Sequence, residues 1–160
     1  MQFRDRAVAL ATRRKLRLFK LEVGSKQPIT QEFYRLASSD PRRVYDMWTC
    51  PVTGESLHNN IGVLTGDGLL VIDVDVKGAR PGMQTLYEMI GKKRLNLAGR
   101  YVVATPSGGL HIYVGMPQEM RIPNRVNAWP GIDIRGYHGY VVGEGSEFHG
   151  KIYGEYRDDE

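Results

Sequence analysis

The sequence predicts an α+β fold, because helical and strand-like patterns occupy largely different parts of the chain. Helical apolar spacing is confined to the first 93 residues, whereas short strands separated by glycine turns follow residue 100. The chain has 160 residues, of which 41% are hydrophobic and 25% charged. This composition is typical of a globular protein, and the length fits one domain or two small interlocked lobes.

Three segments have the spacing of amphipathic helices. Residues 4–15 place Ala7, Val8, Leu10 and Ala11 on one side. Asp40-Pro41 has the residue types of a helix start, with an acid at the N-cap and proline at N1, and this helix continues to Trp48. Residues 83–93 carry apolar side chains at i, i+3, i+4 and i+7, so we expect a helix there.

Strand patterns separate and follow these helices. Early strands are predicted over residues 16–22 and 60–66, and Asp67-Gly68 predicts a turn into a third strand over 69–76. Later in the chain we expect two hairpins. Their strands are 101–105 with 110–114, and 131–135 with 140–142.

The most informative feature is a pair of acids, Asp73 and Asp75, that closes an apolar run. Because strand side chains alternate, both carboxylates lie on one face, and Leu70, Ile72, Val74 and Val76 lie on the other. Like charges beside a core are costly unless a cation neutralises them, and hard divalent ions bind carboxylates together with phosphates. The plainer interpretation is two acids on a solvated strand face.

Two later strands offer functional groups from the same kind of face. In Leu110–Val114 the alternation leaves His111 opposite the aliphatic side chains, and in Ile132–Arg135 it leaves Asp133 and Arg135. Adjacent strands are about 4.8 Å apart, so these groups can converge on one phosphate-sized ligand. The pattern favours a metal-dependent site, although a lone strand histidine is more often structural.

A glycine-containing turn, Pro106-Ser107-Gly108-Gly109, precedes His111. Glycines let backbone N–H groups approach an anion, so the Ser107 hydroxyl, the amides of Gly108 and Gly109 and the imidazole are a candidate triphosphate site. Lys26, in an earlier turn, is a further candidate for contacting a phosphate or a primed strand, or is simply an exposed lysine.

Several classes of protein are not indicated. No apolar stretch reaches the roughly 20 residues of a membrane span, and the first residues lack the apolar core of a signal peptide, so we expect the cytoplasm. One cysteine, Cys50, excludes an internal disulfide and a multi-cysteine zinc site. Neither a P-loop nor a Gly-x-Ser-x-Gly motif occurs.

Positive charge is concentrated at the front of the chain. Residues 1–48 contain 11 Lys and Arg against 5 Asp and Glu, whereas the remainder has a small excess of acids. This distribution suits a polyanionic partner, or an ordinary solvated surface. The candidate contacts to a nucleic-acid backbone within residues 1–48 are Arg13, Arg14, Lys15, Arg17, Arg42 and Arg43, and a later basic run adds Lys92, Lys93 and Arg94.

Four ordered motifs resemble the bifunctional DNA primase/polymerase domain, a branch of the archaeo-eukaryotic primase superfamily. They are GSKQP, NIGVLTGDGLLVIDVDVKG, ATPSGGLHIYV and GIDIRGYHGYVVGEGS, and together they extend over roughly residues 6–153. The resemblance puts the family's D-x-D metal motif on Asp73 and Asp75, its third acid on Asp133, and its serine–histidine nucleotide motif on Ser107 and His111.

The resemblance implies a fold and an activity. The implied fold is a single catalytic domain over residues 1–160, with an αβ front lobe packed on an RRM-like lobe whose mainly antiparallel sheet carries the catalytic face. The implied activity is DNA synthesis from dNTPs on a DNA template and primer, with primer synthesis as a possible addition, using Mg²⁺ or Mn²⁺ and two ions. The parent would be a longer phage, plasmid or prokaryotic replication protein with a helicase domain or partner.

Two other functions fit parts of the pattern. A catalytically silent nucleic-acid-binding module could keep the same fold, although the acids at three positions count against it. A metal-dependent nuclease could use a similar acid cluster. The Ser-Gly-Gly-x-His segment favours a triphosphate ligand, so the nuclease ranks last.

Overall fold

The computed structural model describes residues 1–157, which form an α+β fold with antiparallel sheets, as predicted at that level. The acidic tail of the sequence, residues 158–160, lies outside the described residues. The chain divides into two compact units. One comprises Met1–Leu64 and Tyr140–Tyr153, and the other comprises Thr65–Gly139 and the chain from Gly154. Among the described residues, no helix combines the length and apolar character needed to cross a bilayer.

The helices lie in the first 91 residues, and most of the strands follow them. The helices are α1 (Phe3–Arg14), α2 (Phe33–Leu36), α3 (Pro41–Met47) and α4 (Gly82–Gly91), with a 3₁₀ turn at Lys77–Ala79. The strands are β1 (Leu18–Val23), β2 (Asn59–Leu64), β3 (Leu69–Val74), β4 (Val102–Ala104), β5 (Leu110–Gly115), β6 (Arg125–Trp129), β7 (Ile132–Arg135), β8 (Tyr140–Val142), β9 (Glu147–Phe148), β10 (Lys151–Ile152) and β11 (Gly154–Glu155).

The first unit contains a small antiparallel sheet in the order β1-β2-β8. Helices α1 and α3 pack against each other, and α3 begins as predicted, with the Asp40 side chain accepting a hydrogen bond from the backbone N–H of Arg42. Trp48 is fully buried and its indole N–H donates to the carbonyl of Asn59. Buried apolar side chains of both helices and the strands therefore stabilise this unit.

The second unit contains a large antiparallel sheet in the order β11-β4-β5-β3-β7-β6. Strand β3 lies between β5 and β7, and its aliphatic residues Leu70, Ile72 and Val74 are buried. These side chains belong to one apolar cluster with Leu86 and Met89 of α4. The predicted burial of the aliphatic side chains Leu70, Ile72 and Val74 is confirmed. The predicted two-acid strand face is not, because β3 ends at Val74, before Asp75, and Val71 on the face of Asp73 is fully buried.

Only one of the two predicted hairpins forms. Strands β4 and β5 pair as expected, but β7 pairs with β3 and β6, whereas β8 pairs with β2. The connection at 136–139 is a turn, since Gly139 N–H donates to the Gly136 carbonyl. Its backbone is bound by Asn124 and Thr65, so the turn does not depend on pairing between the strands that flank it.

The Asp67-Gly68 turn is present, and both of its residues have positive φ. The strands on either side, β2 and β3, belong to different sheets. Short elements were not predicted: α2, the edge strand β6, and β9 to β11. Each has at most five residues, and this length is too short for a periodic pattern to stand out.

Candidate functional site

Strand register brings three of the predicted side chains together on the large sheet. Asp73 of β3 is directly opposite His111 of β5 on one side and Asp133 of β7 on the other. Residues opposite each other in an antiparallel pair project from the same face, with Cβ atoms about 4.5–5.5 Å apart. His111 and Asp133 are both buried, with 6% and 4% of their surface exposed.

Arginines connect the carboxylates of this face, which we call the acidic cluster (Asp73, Asp75 and Asp133). Arg135 Nη2 is 3.2 Å from Asp73 Oδ2 and 3.2 Å from Asp133 Oδ2. Arg80 Nη1 is 2.7 Å from Asp75 Oδ2, and its Nη2 is 3.1 Å from Asp133 Oδ1. With all five groups ionised, two guanidinium groups face three carboxylates, which leaves one net negative charge before His111 is counted.

Asp75 lies one residue beyond the end of β3, and its backbone is held where two glycines approach it. Its N–H donates to the carbonyl of Gly131, and its carbonyl accepts from the N–H of Gly82. A Cβ built on Gly82 would be 2.4 Å from the Asp75 carbonyl oxygen, and one built on Gly131 would be 2.3 Å from Gly82 N. No side chain fits between these backbones, so glycine is required at both positions.

The Asp73 carboxylate also interacts with His111. Its Oδ1 is 3.4 Å from His111 Nε2. Burial alone would raise the pKa of Asp73, but the contact with His111 and the guanidinium of Arg135 outweigh it, so that the pKa is below its ordinary value. Asp73 therefore remains ionised at neutral pH, as a carboxylate ligand of a cation must be.

Arg80 is a member of this site that we did not predict from the sequence. Its guanidinium contacts Asp75, Asp133 and the side-chain oxygen of Asn127, and the neighbouring carboxylates of Asp133 and Asp75 raise its pKa. The available signal was an arginine five residues after Asp75 in a glycine- and proline-containing turn. Spacing alone could not show that this turn folds back toward the strand end.

The turn before His111 is closed by its own hydrogen bonds. Gly108 N–H donates to the Thr105 carbonyl, and Gly109 N–H donates to the Thr105 hydroxyl at 3.0 Å. The Ser107 hydroxyl is 3.2 Å from that same hydroxyl and is exposed. A Cβ on Gly109 would be 2.2 Å from the carbonyl oxygen of Val74, so this glycine allows the turn to approach β3. Anion binding by the two amides stays a prediction and would compete with these bonds.

Lys26 belongs to the first unit, where its ammonium is 4.4 Å from the ring centre of Phe148. Its backbone carbonyl accepts a hydrogen bond from the Tyr140 hydroxyl. A role for Lys26 in binding nucleotide stays a prediction. Most of the basic side chains proposed to contact DNA are exposed: Arg13, Arg14, Lys15, Arg42, Arg43, Lys92, Lys93 and Arg94.

The acidic cluster has the donor chemistry of a divalent-cation site, because carboxylate oxygens are the ligands that Mg²⁺ and Mn²⁺ prefer. Within residues 1–157, however, no three His, Cys, Asp or Glu side chains are arranged as a ready metal cluster. Arg80 and Arg135 contact the oxygens that would coordinate an ion. The carboxylates are therefore of the right residue type for a divalent ion. An ion would bind only by replacing guanidinium groups at these oxygens.

Comparison with known proteins identifies the family of the chain. Residues 7–159 match the family model described as bifunctional DNA primase/polymerase, N-terminal. No curated protein matches the chain. The family implies a nucleotidyltransferase-type enzyme whose substrates are DNA and nucleotides. Because the match extends over nearly the whole sequence, the chain belongs to the bifunctional DNA primase/polymerase family.

Proposed function

We propose that the acidic face of the large sheet catalyses template-directed DNA synthesis, by nucleotidyl transfer from dNTPs to a primer 3′-hydroxyl. The observation that carries this proposal is the register of β3 with its two neighbours, which aligns Asp73 with His111 and Asp133. The three carboxylates, the imidazole and the two arginines that meet at this site suit a triphosphate and its cations better than they suit a purely structural sheet.

In this proposal Asp73, Asp75 and Asp133 hold Mg²⁺ or Mn²⁺, with two ions as the expected number. Bound divalent ions would supply activation of the attacking hydroxyl and neutralisation of the departing pyrophosphate. The low pKa of Asp73 keeps one ligand ionised, and the glycine contacts around Asp75 fix the position of another. The chain's own contribution is mainly to position and neutralise charged groups.

The remaining groups of the site orient the nucleotide. His111 and Ser107 would contact the triphosphate, with the amides of Gly108 and Gly109 as further donors once their turn contacts are exchanged. Arg135 would add positive charge, and its planar guanidinium can bind phosphate oxygens in pairs. Lys26 is proposed as an additional phosphate contact.

DNA would be bound along its backbone by exposed basic side chains, so affinity should fall with salt and depend little on sequence. The finer features of the family belong to the same proposal. They are the αβ front lobe packed on an RRM-like lobe, de novo priming, and a helicase domain or partner in a phage, plasmid or prokaryotic replication system.

Primer extension tests the proposal directly. Asp73→Asn and Asp75→Asn should each abolish extension of a labelled primer with Mg²⁺ or Mn²⁺, while far-UV circular dichroism stays unchanged. The matched control is Asp46→Asn, which removes one negative charge from an exposed position of α3. Extension at the wild-type rate by either site variant would reject the assignment. Loss of labelled DNA without dNTPs would instead support a nuclease.

A binding experiment separates the role of His111 from a structural one. His111→Ala should weaken dNTP binding much more than binding of a primer–template duplex, because the imidazole is proposed to contact the triphosphate. Fluorescence anisotropy of labelled DNA and calorimetric titration of dNTP give the two affinities on the same protein. Equal losses for both ligands would show that His111 only supports the sheet.

A further inference from the structure

We propose that Arg80 is an internal counter-cation of the acidic cluster, which a divalent ion must displace from Asp75 and Asp133. The inference deepens the function proposed above and rests on its cation site. It concerns which cation lies between the Asp75 and Asp133 carboxylates before a divalent ion binds, and how that cation lowers the apparent affinity for the ion.

The contacts of Arg80 are those of a bridging cation. One terminal nitrogen contacts the carboxylate that follows β3, and the other contacts a carboxylate of β7. Asn127 supplies a further oxygen from β6, and the backbone N–H of Asn127 donates to Asp133 Oδ1 at 2.8 Å. Three segments of the second unit thus meet at one guanidinium, as they would at a bound ion.

Arg80 and a divalent ion would use the same oxygen atoms. Asp75 Oδ1 accepts from the backbone N–H of Lys77, so Oδ2, which Arg80 contacts, is the oxygen that displacement of Arg80 would open to an ion. Asp133 Oδ1 is similarly shared between Arg80 and Asn127. A guanidinium contact and a coordination bond to one lone pair exclude each other, so the two cations compete and the apparent affinity for the ion falls.

The position of Arg80 makes it the exchangeable arginine. It follows the 3₁₀ turn Lys77–Ala79, in which Ala79 has a strained φ of +61°. Arg135, by contrast, lies within β7, a strand paired on both sides. A backbone shift at Arg80 would disturb only a turn, whereas a backbone shift at Arg135 would disturb the sheet.

The test measures binding of Mn²⁺ alone to the full chain, by the loss of the free-ion electron paramagnetic resonance signal. Arg80→Gln removes the competitor and should lower the Mn²⁺ Kd by about three- to tenfold, an apparent gain expected when one competing contact is lost. Arg80→Lys keeps the charge but not the planar fork, and should gain an intermediate amount. Without metal, Arg80→Gln should unfold at a lower temperature than wild type, and Mn²⁺ should raise its Tm more.

Two controls separate competition from simple charge removal. Arg100→Gln removes the same charge from an exposed position of the second unit and should leave the Mn²⁺ Kd within twofold of wild type. Asp75→Asn should weaken binding. If Mn²⁺ binding depends on Asp75 but neither Arg80 variant has a lower Kd than wild type, the proposed competition is wrong. It is also wrong if the Mn²⁺ Kd of Arg80→Lys equals that of wild type. If no variant shows Asp75-dependent binding, the proposed cation site is wrong as well.

Discussion

Gly82→Ala should damage the candidate site through the backbone, without changing any charged group. Gly82 is the first residue of α4, and its Cα faces the peptide units that hold Asp75. An alanine methyl there would be 2.4 Å from the Asp75 carbonyl oxygen and 2.8 Å from both Asp75 N and the Gly131 carbonyl oxygen. All three atoms are backbone, so no flexible side chain can move aside.

The magnitude follows from these distances. Ordinary Cβ contacts begin at 3.4 Å, so the end of β3 or the start of α4 must shift by about 1 Å. Forced overpacking of this kind costs about 1–3 kcal/mol, and lowers the urea midpoint by about 0.5–1.5 M for a protein of this size. A displacement of about 1 Å in a catalytic group can also reduce turnover by on the order of 100-fold.

Gly91→Ala is the matched control, because it is the same substitution at the last residue of the same helix. A Cβ on Gly91 meets nothing within 4 Å, so this variant should gain about 0.5–1 kcal/mol from the lower flexibility of the unfolded chain. Urea unfolding of the two variants should therefore give shifts of opposite sign, and only Gly82→Ala should lose primer extension. Equal midpoints for the two variants would refute the close approach at Asp75.

Three further predictions concern single side chains. The pKa of Asp73 is lower in the folded chain than its ordinary value of 3.8, so the ionised carboxylate stabilises the fold above that value. This stabilisation is lost as the pH falls through the folded pKa. The free energy of urea unfolding should therefore decrease less steeply between pH 5 and pH 2 for Asp73→Asn than for wild type. Ser146→Ala should cost about 1–3 kcal/mol in thermal or urea unfolding, because the fully buried Ser146 hydroxyl accepts the N–H of Ile61 at 2.9 Å; an unchanged midpoint would contradict this. Cys50, the one cysteine in the sequence, has its pKa lowered from 9.0 first by the Thr53 hydroxyl, so the pH midpoint of its alkylation should lie below 9.0 and rise in Thr53→Val.

Much of the fold was predictable from side-chain periodicity. Alternation in β3 correctly separated Leu70, Ile72 and Val74 from Asp73, and the Asp40-Pro41 helix start needed only local chemistry. Strand pairing was harder to predict, because the turn at 136–139 has the glycines of a hairpin and yet connects strands of different sheets. The side-chain amide of Asn124 and the hydroxyl of Thr65 hold that turn, and these are long-range contacts that no local pattern encodes.

The residues of the candidate site also differ in whether the sequence could predict them. Asp73, His111 and Asp133 could be predicted because each lies on a strand, where alternation fixes the face. Arg80 could not, since it follows a 3₁₀ turn whose path has no period. The amides of Gly108 and Gly109 have local partners in the structure, so sequence could suggest that they were available but not that the Thr105 side chain and carbonyl accept from them.

Single-nucleotide incorporation tests the central claim most directly. A primer–template with one defined template base is offered each of the four dNTPs separately, with Mg²⁺ or Mn²⁺ and either wild type or Asp133→Asn. We predict that wild type adds only the complementary nucleotide and that Asp133→Asn adds none while remaining folded. Equal incorporation by both proteins, or none by wild type with either ion, would contradict a polymerase site at the acidic cluster.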